Sequence, residues 1–533
     1  MYHFSTALRL KKFWLHNEWI GVVCIFIIAA CAFTFWTAAP TFVDPDSFYH
    51  LKLAELMGKR RGPITNFPWL TYTTLSHAYV DHHLLYHIFL IPFIVLFGSF
   101  FGMKMATIIL AASTVTLFYI LLRSVHVRYA FLFSLLLLCT YGFSFRMGLS
   151  KAPSVGFLFL VGGFFFAIHT QYRLLLLLSF FFVWAYGGFI LLPIMMGMYS
   201  LFAFLEIITK QKKITVTKQQ VVTCLAPFLA AFVGTLFGLL IHPSFPQHFL
   251  FYWQQIIQIG LVNYQETIGV GGEWYPTALS DLVTSSILLT TLLLISIPLF
   301  ILTIKKQPIY TQVACMMTII FFLFTVKSQR YIEYYVPWGF LFSALSLHGS
   351  GILYALPKKI MAISRSVQHP LYHVTIVFSI ACIGFLVPTI MIKDAKRLSQ
   401  ALQGGIPFER FSAAGMWLRE HSTKGDIVLH NDWDEFPILF YRSARNRYIV
   451  GLDPTFMYTY DKELYWKWVH ITTGEQTEQL FEMIQNDFHA RFVFVDRDHT
   501  SMYQNLINDG RFIIAYEDSE ATIFRVPRTV INK

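Results

Sequence analysis

Charge is what this sequence has least of. Only 13% of its 533 residues are Asp, Glu, Lys or Arg, against roughly 25% in ordinary soluble domains. With 56% hydrophobic residues and a mean hydropathy of +0.54, a soluble globular chain is excluded and a polytopic membrane protein is expected. Cysteine is also scarce. Cys24, Cys31, Cys139, Cys224, Cys315 and Cys382 all fall inside apolar runs, with no metal-ligand spacing. Neither a disulfide framework nor a zinc site is expected from them. The chain has no internal repeat and no low-complexity linker, whereas many transporters are built from paired repeats. No small-residue cleavage site follows the basic Arg9, Lys11 and Lys12, so the first apolar run is expected to remain as a span.

What is present fits that class. The 17% of aromatic residues, 54 of them Phe, suit lipid-facing helices and interfacial belts. The formal charge of +11 would point to nucleic acid in a soluble chain, but here the cations sit mostly in short loops between apolar runs. There they set topology and meet anionic lipid, and no nucleic-acid partner is implied.

The first span is expected at 20–39, with its basic flank in the cytoplasm and the following loop outside. Residues 47–58 have helical spacing and end in Gly58-Lys-Arg-Arg61, which suits a short surface helix. The run 84–122 reads as two spans, near 84–101 and 104–122. Arg123 and Arg128 instead require an odd number of crossings there, so one of the two would be interfacial or re-entrant. Further spans are expected near 128–141, 153–168, 173–186, 188–207, 220–240, 280–304, 308–326, 331–349 and 373–392. Lys210, Lys212, Lys213, Lys305, Lys306, Lys358 and Lys359 mark cytoplasmic turns. The total is about twelve spans, in a range of 11–13. Residues 1–392 then form a transmembrane domain, and 393–533 a charged extracytoplasmic α/β domain. In the latter, strands are predicted at 426–430, 447–451, 491–496, 512–516 and 521–525, with helices at 410–420, 461–471 and 475–487.

Four outer-face stretches stand out. Asp44-Pro-Asp46 follows the first span. An Asp-x-Asp pair can hold a hard divalent cation, but the same run is an ordinary helix start. Asp81-His82-His83 offers oxygen and imidazole ligands, or is simply a polar loop end. In the long loop 241–279, Gly269, Gly271 and Gly272 precede Glu273, as in a mobile loop that delivers a carboxylate. The plain alternative is a flexible loop with an incidental acid. Lys327-Ser-Gln-Arg330-Tyr-Ile-Glu333 opens a span. Its charges either snorkel to headgroups, or Arg330 faces inward and holds an anion.

In order, spacing and topology these stretches resemble the catalytic subunit of oligosaccharyltransferase, a membrane glycosyltransferase of the GT-C type. Asp46-Ser-Phe-Tyr49-His50-Leu-Lys52 is similar to the family's D-x-Y-Y-x-L-R. Val270-Gly-Gly-Glu273-Trp-Tyr-Pro276-Thr277 is similar to S-V-x-E-x-Q-P-T. Arg330 stands where the family's substrate-binding Arg would be, and Asp432-Trp433-Asp434-Glu435-Phe436 resembles a degenerate W-W-D-Y-G. The likeness covers nearly the whole chain through individually loose motifs. A later signature, D-x-x-K-x-x-x-I, has a partial echo in Lys467 to Ile471.

Two departures matter. The family's second acidic motif follows Arg146, but here that loop reads Arg146-Met-Gly-Leu-Ser-Lys151-Ala-Pro153, with a lysine and no acid. Either Asp46 holds a metal with Asp81, His82 or His83, or Lys151 takes over part of the charge neutralisation. In the C-terminal motif only Trp433 and Asp434 persist, which departs from ordinary Asn-x-Ser/Thr recognition.

The resemblance implies transfer of a glycan from a polyprenyl phosphate or pyrophosphate to a protein, lipid or glycan acceptor. It implies an extracytoplasmic site in a bacterial or archaeal cytoplasmic membrane and a divalent cation, Mn or Mg. Asp46, Asp44 and Glu273 would be catalytic. Arg330, Trp433, Asp434, Lys151 and Arg146 would bind substrate. Two other readings stand beside it: a GT-C enzyme adding single sugars to an envelope lipid or glycan, and a lipid-linked sugar transporter.

Overall fold

A computed structural model describes residues 18–211, 217–355 and 370–528. Lys212, Lys213, Lys358 and Lys359, and the N-terminal Arg9, Lys11 and Lys12, lie outside the described residues. The chain forms two compact units, both discontinuous. One comprises Met1–Ala39, Lys104–Leu240 and Glu273–Gly404; the other comprises Pro40–Met103, Ile241–Gly272 and Gly405–Lys533. The division at 392/393 expected from sequence cuts the chain once, whereas two segments of the N-terminal part cluster with the C-terminal residues.

The first unit is helical. Across the described residues six helices are long and apolar enough to cross a membrane: Glu18–Trp36, Ser99–Ser124, Leu191–Thr209, Lys218–Leu240, Ile287–Lys306 and Ile309–Lys327. A seventh is counted if Ala130–Leu138 and Tyr141–Gly148, bent by 70° at their junction, form one broken span. Three of the expected spans fall short among the described residues. Leu84–Phe97, Pro153–Ile168 and Tyr172–Ala185 have only 14, 16 and 14 residues, while an upright span needs roughly 20. The ambiguous run 84–122 breaks at Gly98, whose φ of 77° interrupts the helix, and continues as one 26-residue helix.

The Ile332–Gly349 helix is the core of this unit, buried without a break from Glu333 to Leu347. A helix apolar on all sides belongs in the interior. Close backbone approach binds another pair. A Cβ at Gly234 would lie 2.2 Å from the Leu176 carbonyl oxygen, and one at Gly238 2.6 Å from that of Phe180. Small residues at such crossings let membrane helices touch along their backbones. Outward-facing Phe35, Leu294 and Leu302 are exposed, as lipid contact requires.

The second unit carries the sheets. β1 (Thr41–Phe42) pairs antiparallel with β2 (Ile406–Pro407). A five-stranded sheet contains β3 (Ile427–His430), β4 (Arg447–Tyr448), β5 (Ala490–Asp496), β6 (Ile513–Glu517) and β7 (Ala521–Arg525), in the order β4-β3-β5-β7-β6. β3 runs parallel to β4 and β5, and the β5–β7 and β7–β6 pairs are antiparallel. Each predicted strand has a counterpart, although the 447–451 run shrinks to two paired residues.

The Pro40–Met103 segment is built into this unit. Leu70 bridges Tyr448 in parallel, and the Trp69 indole donates to the Ala444 carbonyl at 2.7 Å. The Asp46–Arg60 helix buries Phe48 against Phe408 and Tyr441, with ring centroids 6.0 and 5.8 Å apart. Phe67 stacks on Tyr79 at 4.6 Å. Such aromatic contacts add about 0.5–1.5 kcal/mol each beyond burial.

Candidate functional sites

In the first unit, four charged side chains meet where the broken span, the end of the long loop and the start of the core helix converge. Glu273 sits in a short turn, Gly272–Trp274. Its two carboxylate oxygens take different guanidinium groups, Arg146 Nη1 at 2.6 Å and Arg330 Nη1 at 2.5 Å. Arg146 also donates through Nε to Glu333 Oε2 at 2.9 Å, and its Nη2 lies 2.8 Å from the same oxygen. The Tyr186 hydroxyl donates to Glu333 Oε1 at 3.3 Å. Arg146 and Glu333 are 7% and 1% exposed, whereas Glu273 and Arg330 are 22% and 21% exposed. One pair is therefore interior and the other is more exposed.

Backbone and ring contacts pin the turn. Ser328 Oγ donates to the Glu273 carbonyl at 3.0 Å, and Gln329 N donates to that of Tyr275 at 3.0 Å. The Arg330 guanidinium lies 4.7 Å from the centre of the buried Trp274 ring. Burial pushes the Glu273 carboxyl up. The charges of Arg330, Arg146 and Lys151 overcome it and hold the carboxyl well below its usual range. Arg146, Lys151, Glu273 and Arg330, four residues singled out from sequence, thus act on one another.

The second unit gathers the first-loop residues. The Asp46 amide donates to Asp44 Oδ1 at 3.0 Å, and the helix begins at Asp46. Asp44 therefore takes the ordinary helix-start role, accepting from a first-turn amide. The Asp81 carboxylate is committed elsewhere. Its Oδ1 accepts from the His83 amide at 3.1 Å, and its Oδ2 lies 2.8 Å from His87 Nδ1. His87 Nε2 in turn lies 2.8 Å from His50 Nδ1. With Asp81 ionised, His87 donates to it through Nδ1 and accepts from His50 through Nε2. All three side chains are buried. Beside them the Tyr49 and Tyr79 hydroxyls pair at 2.8 Å. The His82 and His83 rings lie against each other, centroids 3.8 Å apart.

The described residues contain no group of three His, Cys, Asp or Glu side chains that could hold a metal ion. Asp46, Asp81, His82 and His83 thus do not fit the cation the resemblance assigns them. The physical reason is visible at Asp81, whose oxygens already serve His83 and His87.

Trp433 and Asp434 follow β3 in a short turn, half-buried. Asp432 caps that turn by accepting from the Asp434 amide at 3.2 Å, and Glu435 accepts from the Asp432 amide at 3.2 Å. This is a capping box, which accounts for two of the motif's acids structurally. Asn431 then ties the turn to the end of β5. Its Nδ2 donates to Glu435 Oε1 at 2.9 Å and its Oδ1 accepts from the Asp496 amide at 3.0 Å. His499 Nδ1 lies 2.7 Å from Asp496 Oδ1. Burial, then the charges of Asp496 and Asp432, push the Glu435 carboxyl well above its usual range. Burial takes the His430 imidazole down to about 4. The turn lies at the carboxyl ends of β3 and β5, between strands whose connections leave in opposite directions. Ligands of open α/β sheets bind at such a point.

Sequence reading missed His87 and Glu333 as structural partners. The available signal was a polar residue standing inside an apolar run, at 84–97 and 332–349 respectively.

No protein-family model matches the sequence, and a search of curated proteins finds no match. Solved structures do match. The oligosaccharyltransferase AglB of Archaeoglobus fulgidus, in complex with an inhibitory peptide and a dolichol-phosphate, aligns at 12% identity with a TM-score of 0.64. The alignment covers 98% of this chain and 75% of that one. The apo form of the A. fulgidus enzyme gives 14% identity and a TM-score of 0.62, covering 91% of this chain and 70% of that one. ArnT of Cupriavidus metallidurans, bound to undecaprenyl phosphate, gives 12% identity and a TM-score of 0.55, covering 96% of this chain and 98% of that one. The chain therefore has the fold of the GT-C membrane glycosyltransferases AglB and ArnT, with its apolar helices in the membrane and a small sheet in its C-terminal region.

Proposed function

We propose that the protein is a membrane glycosyltransferase that transfers a sugar or glycan from a polyprenyl-linked phosphate or pyrophosphate to an acceptor. The observation that carries the reading is the cationic cluster of the first unit. Arg146, Arg330 and Lys151 bring three positive charges to a buried helical setting with two carboxylates, Glu273 and Glu333. Ionisable side chains among membrane helices commonly mark a substrate path. Guanidinium groups also suit the oxygens of a leaving phosphate. Two of the structures with this fold, AglB and ArnT, were solved with prenyl phosphates bound.

In this reading the cations stabilise charge that builds on the leaving phosphate as the glycosidic bond breaks. Asp46 accepts a hydrogen bond from the acceptor nucleophile and orients it. Trp433 and Asp434 line the acceptor pocket. No step is routed through a metal, because the residues assigned to it do not fit one.

A second reading has one specific observation in its favour. The chain matches 98% of ArnT but 75% of AglB, and the loop after Arg146 has Lys151 in place of acids. Those features suit transfer of single sugars from a polyprenyl monophosphate to a lipid or glycan. The transporter reading has no comparable support.

The test is transfer by purified protein in detergent, from a polyprenyl-pyrophosphate glycan and a polyprenyl-monophosphate sugar in parallel. Peptide and lipid acceptors are both present, with EDTA or with added Mn²⁺. Transfer from either donor that is lost in Asp46→Asn supports the reading. Full turnover in that variant removes Asp46 from it, and no transfer from either donor overturns it.

A further inference from the structure

The geometry points to Arg146 and Arg330 as a phosphate-binding site whose resident occupant is the protein's own Glu273 carboxylate, which the phosphate of a prenyl carrier displaces. The inference rests on the reading above and adds a competition within the site. A single carboxylate bridges two guanidinium groups from different helical elements, with N–O distances of 2.6 and 2.5 Å. That is how a phosphate uses two forks, one oxygen to each.

The two arginines are not equivalent. Arg146 keeps Glu333 as a buried counterion through Nε and Nη2, so its Nη1 alone is committed to Glu273. Withdrawal of Glu273 therefore frees one guanidinium donor on each arginine, Nη1 of Arg146 and Nη1 of Arg330, while Arg146 keeps Glu333. Two guanidinium donors turned to one place suit the oxygens of a phosphate.

The turn that carries Glu273 is suited to release. Glu273 is 22% exposed, and it sits in a three-residue turn rather than within a long helix. At Gly272, just before it, an added Cβ would meet nothing within 4 Å. The space beside the turn is therefore open on that side.

Competition sets the expected numbers. A ligand that binds only when Glu273 is withdrawn has its affinity reduced by the fraction of time the site is open. If the carboxylate holds the site nine-tenths of the time, its removal tightens binding about tenfold.

The experiment measures binding of farnesyl phosphate and farnesyl pyrophosphate to the full-length protein in detergent by calorimetry. Inorganic phosphate serves as a headgroup-only arm, and farnesol as a lipid-only arm. Glu273→Gln keeps the shape and removes the charge, and is expected to bind the prenyl phosphates about tenfold more tightly than the unaltered protein. Arg330→Gln is expected to weaken binding, with farnesol indifferent to both changes. In the unaltered protein, farnesyl phosphate is expected to speed amide exchange across residues 273–277.

Equal or weaker binding by Glu273→Gln, or slower exchange at that turn, overturns the inference. If sugar transfer nonetheless persists, the glycosyltransferase reading survives alone. If only inorganic phosphate binds, and binds more tightly to Glu273→Gln, the displaced-carboxylate site stands and the prenyl-carrier reading fails. Binding of none of the phosphates overturns both.

Discussion

The two carboxylates that share Arg146 are predicted to differ sharply in what they contribute to stability. Glu333 is 1% exposed and Glu273 22%. Glu333→Ala leaves Arg146, itself 7% exposed, without its interior counterion. Removing one partner of a buried pair costs about 3–5 kcal/mol. Glu273→Ala removes a pair open to solvent, where screening reduces the contribution to about 0–1 kcal/mol. Unfolding in SDS titrations, with both variants in the same detergent, measures the contrast directly. A paired change of Arg146→Met with Glu333→Leu should recover much of the loss. It removes both buried charges together and leaves Arg330, Lys151 and Glu273 with the same net charge as before. The reasoning is refuted if Glu333→Ala is no more destabilising than Glu273→Ala. It is equally refuted if the paired change is worse than Glu333→Ala alone.

Three further outcomes are expected. Asp44→Ala should cost about 1 kcal/mol through the lost acceptor at the start of the Asp46–Arg60 helix, read by thermal unfolding, and Asp44→Asn should restore most of it. Gly234→Val should disrupt the contact between the Tyr172–Ala185 and Lys218–Leu240 helices, because its Cβ meets the Leu176 carbonyl at 2.2 Å. Overpacking of this kind costs about 1–3 kcal/mol, read as a lower midpoint in the same SDS titration.

The third outcome concerns pH. The hydrogen bond to Asp496 raises the His499 imidazole above its usual value, so its contribution is complete below about 6.5 and is lost as pH rises through the folded value. Glu435, raised by burial, works in the same direction from about 4.5 upward, because the folded state keeps its proton longer. Asp496 is lowered, and its share is lost only in acid, as pH falls below about 3.8 through the folded value. The thermal unfolding midpoint should therefore fall from pH 6 to pH 9 (~3 units), and His499→Gln should flatten that slope.

Much of the fold was legible because apolar length and alternation are local signals. The first span, the 220–240 span and the five C-terminal strands all appear within a few residues of their expected places. The span count was less legible, because a hydropathy window does not fix where a helix stops: Pro153–Ile168 has 16 residues and Tyr172–Ala185 only 14. Nor could sequence show that residues 40–103 and 241–272 cluster with the C-terminal residues. Contacts such as Trp69 to Ala444 join positions 375 residues apart.

The candidate sites divide along the same line. Arg146, Glu273 and Arg330 are charges set among apolar runs, and a charge among membrane helices needs a partner; they find one another. The first-loop acids could not be read so directly, because an acid at a loop end can hold a cation or satisfy donors of the protein itself. Asp44 satisfies a helix amide, and Asp81 holds a chain of two buried histidines. Each of those carboxylates therefore already balances a donor within the protein. The Glu273 carboxylate also balances donors, but it reaches them from a short turn and is 22% exposed, whereas Asp81 is buried. The distinction that matters for function is how readily a carboxylate can leave its partners, and Glu273 is the acid placed to do so.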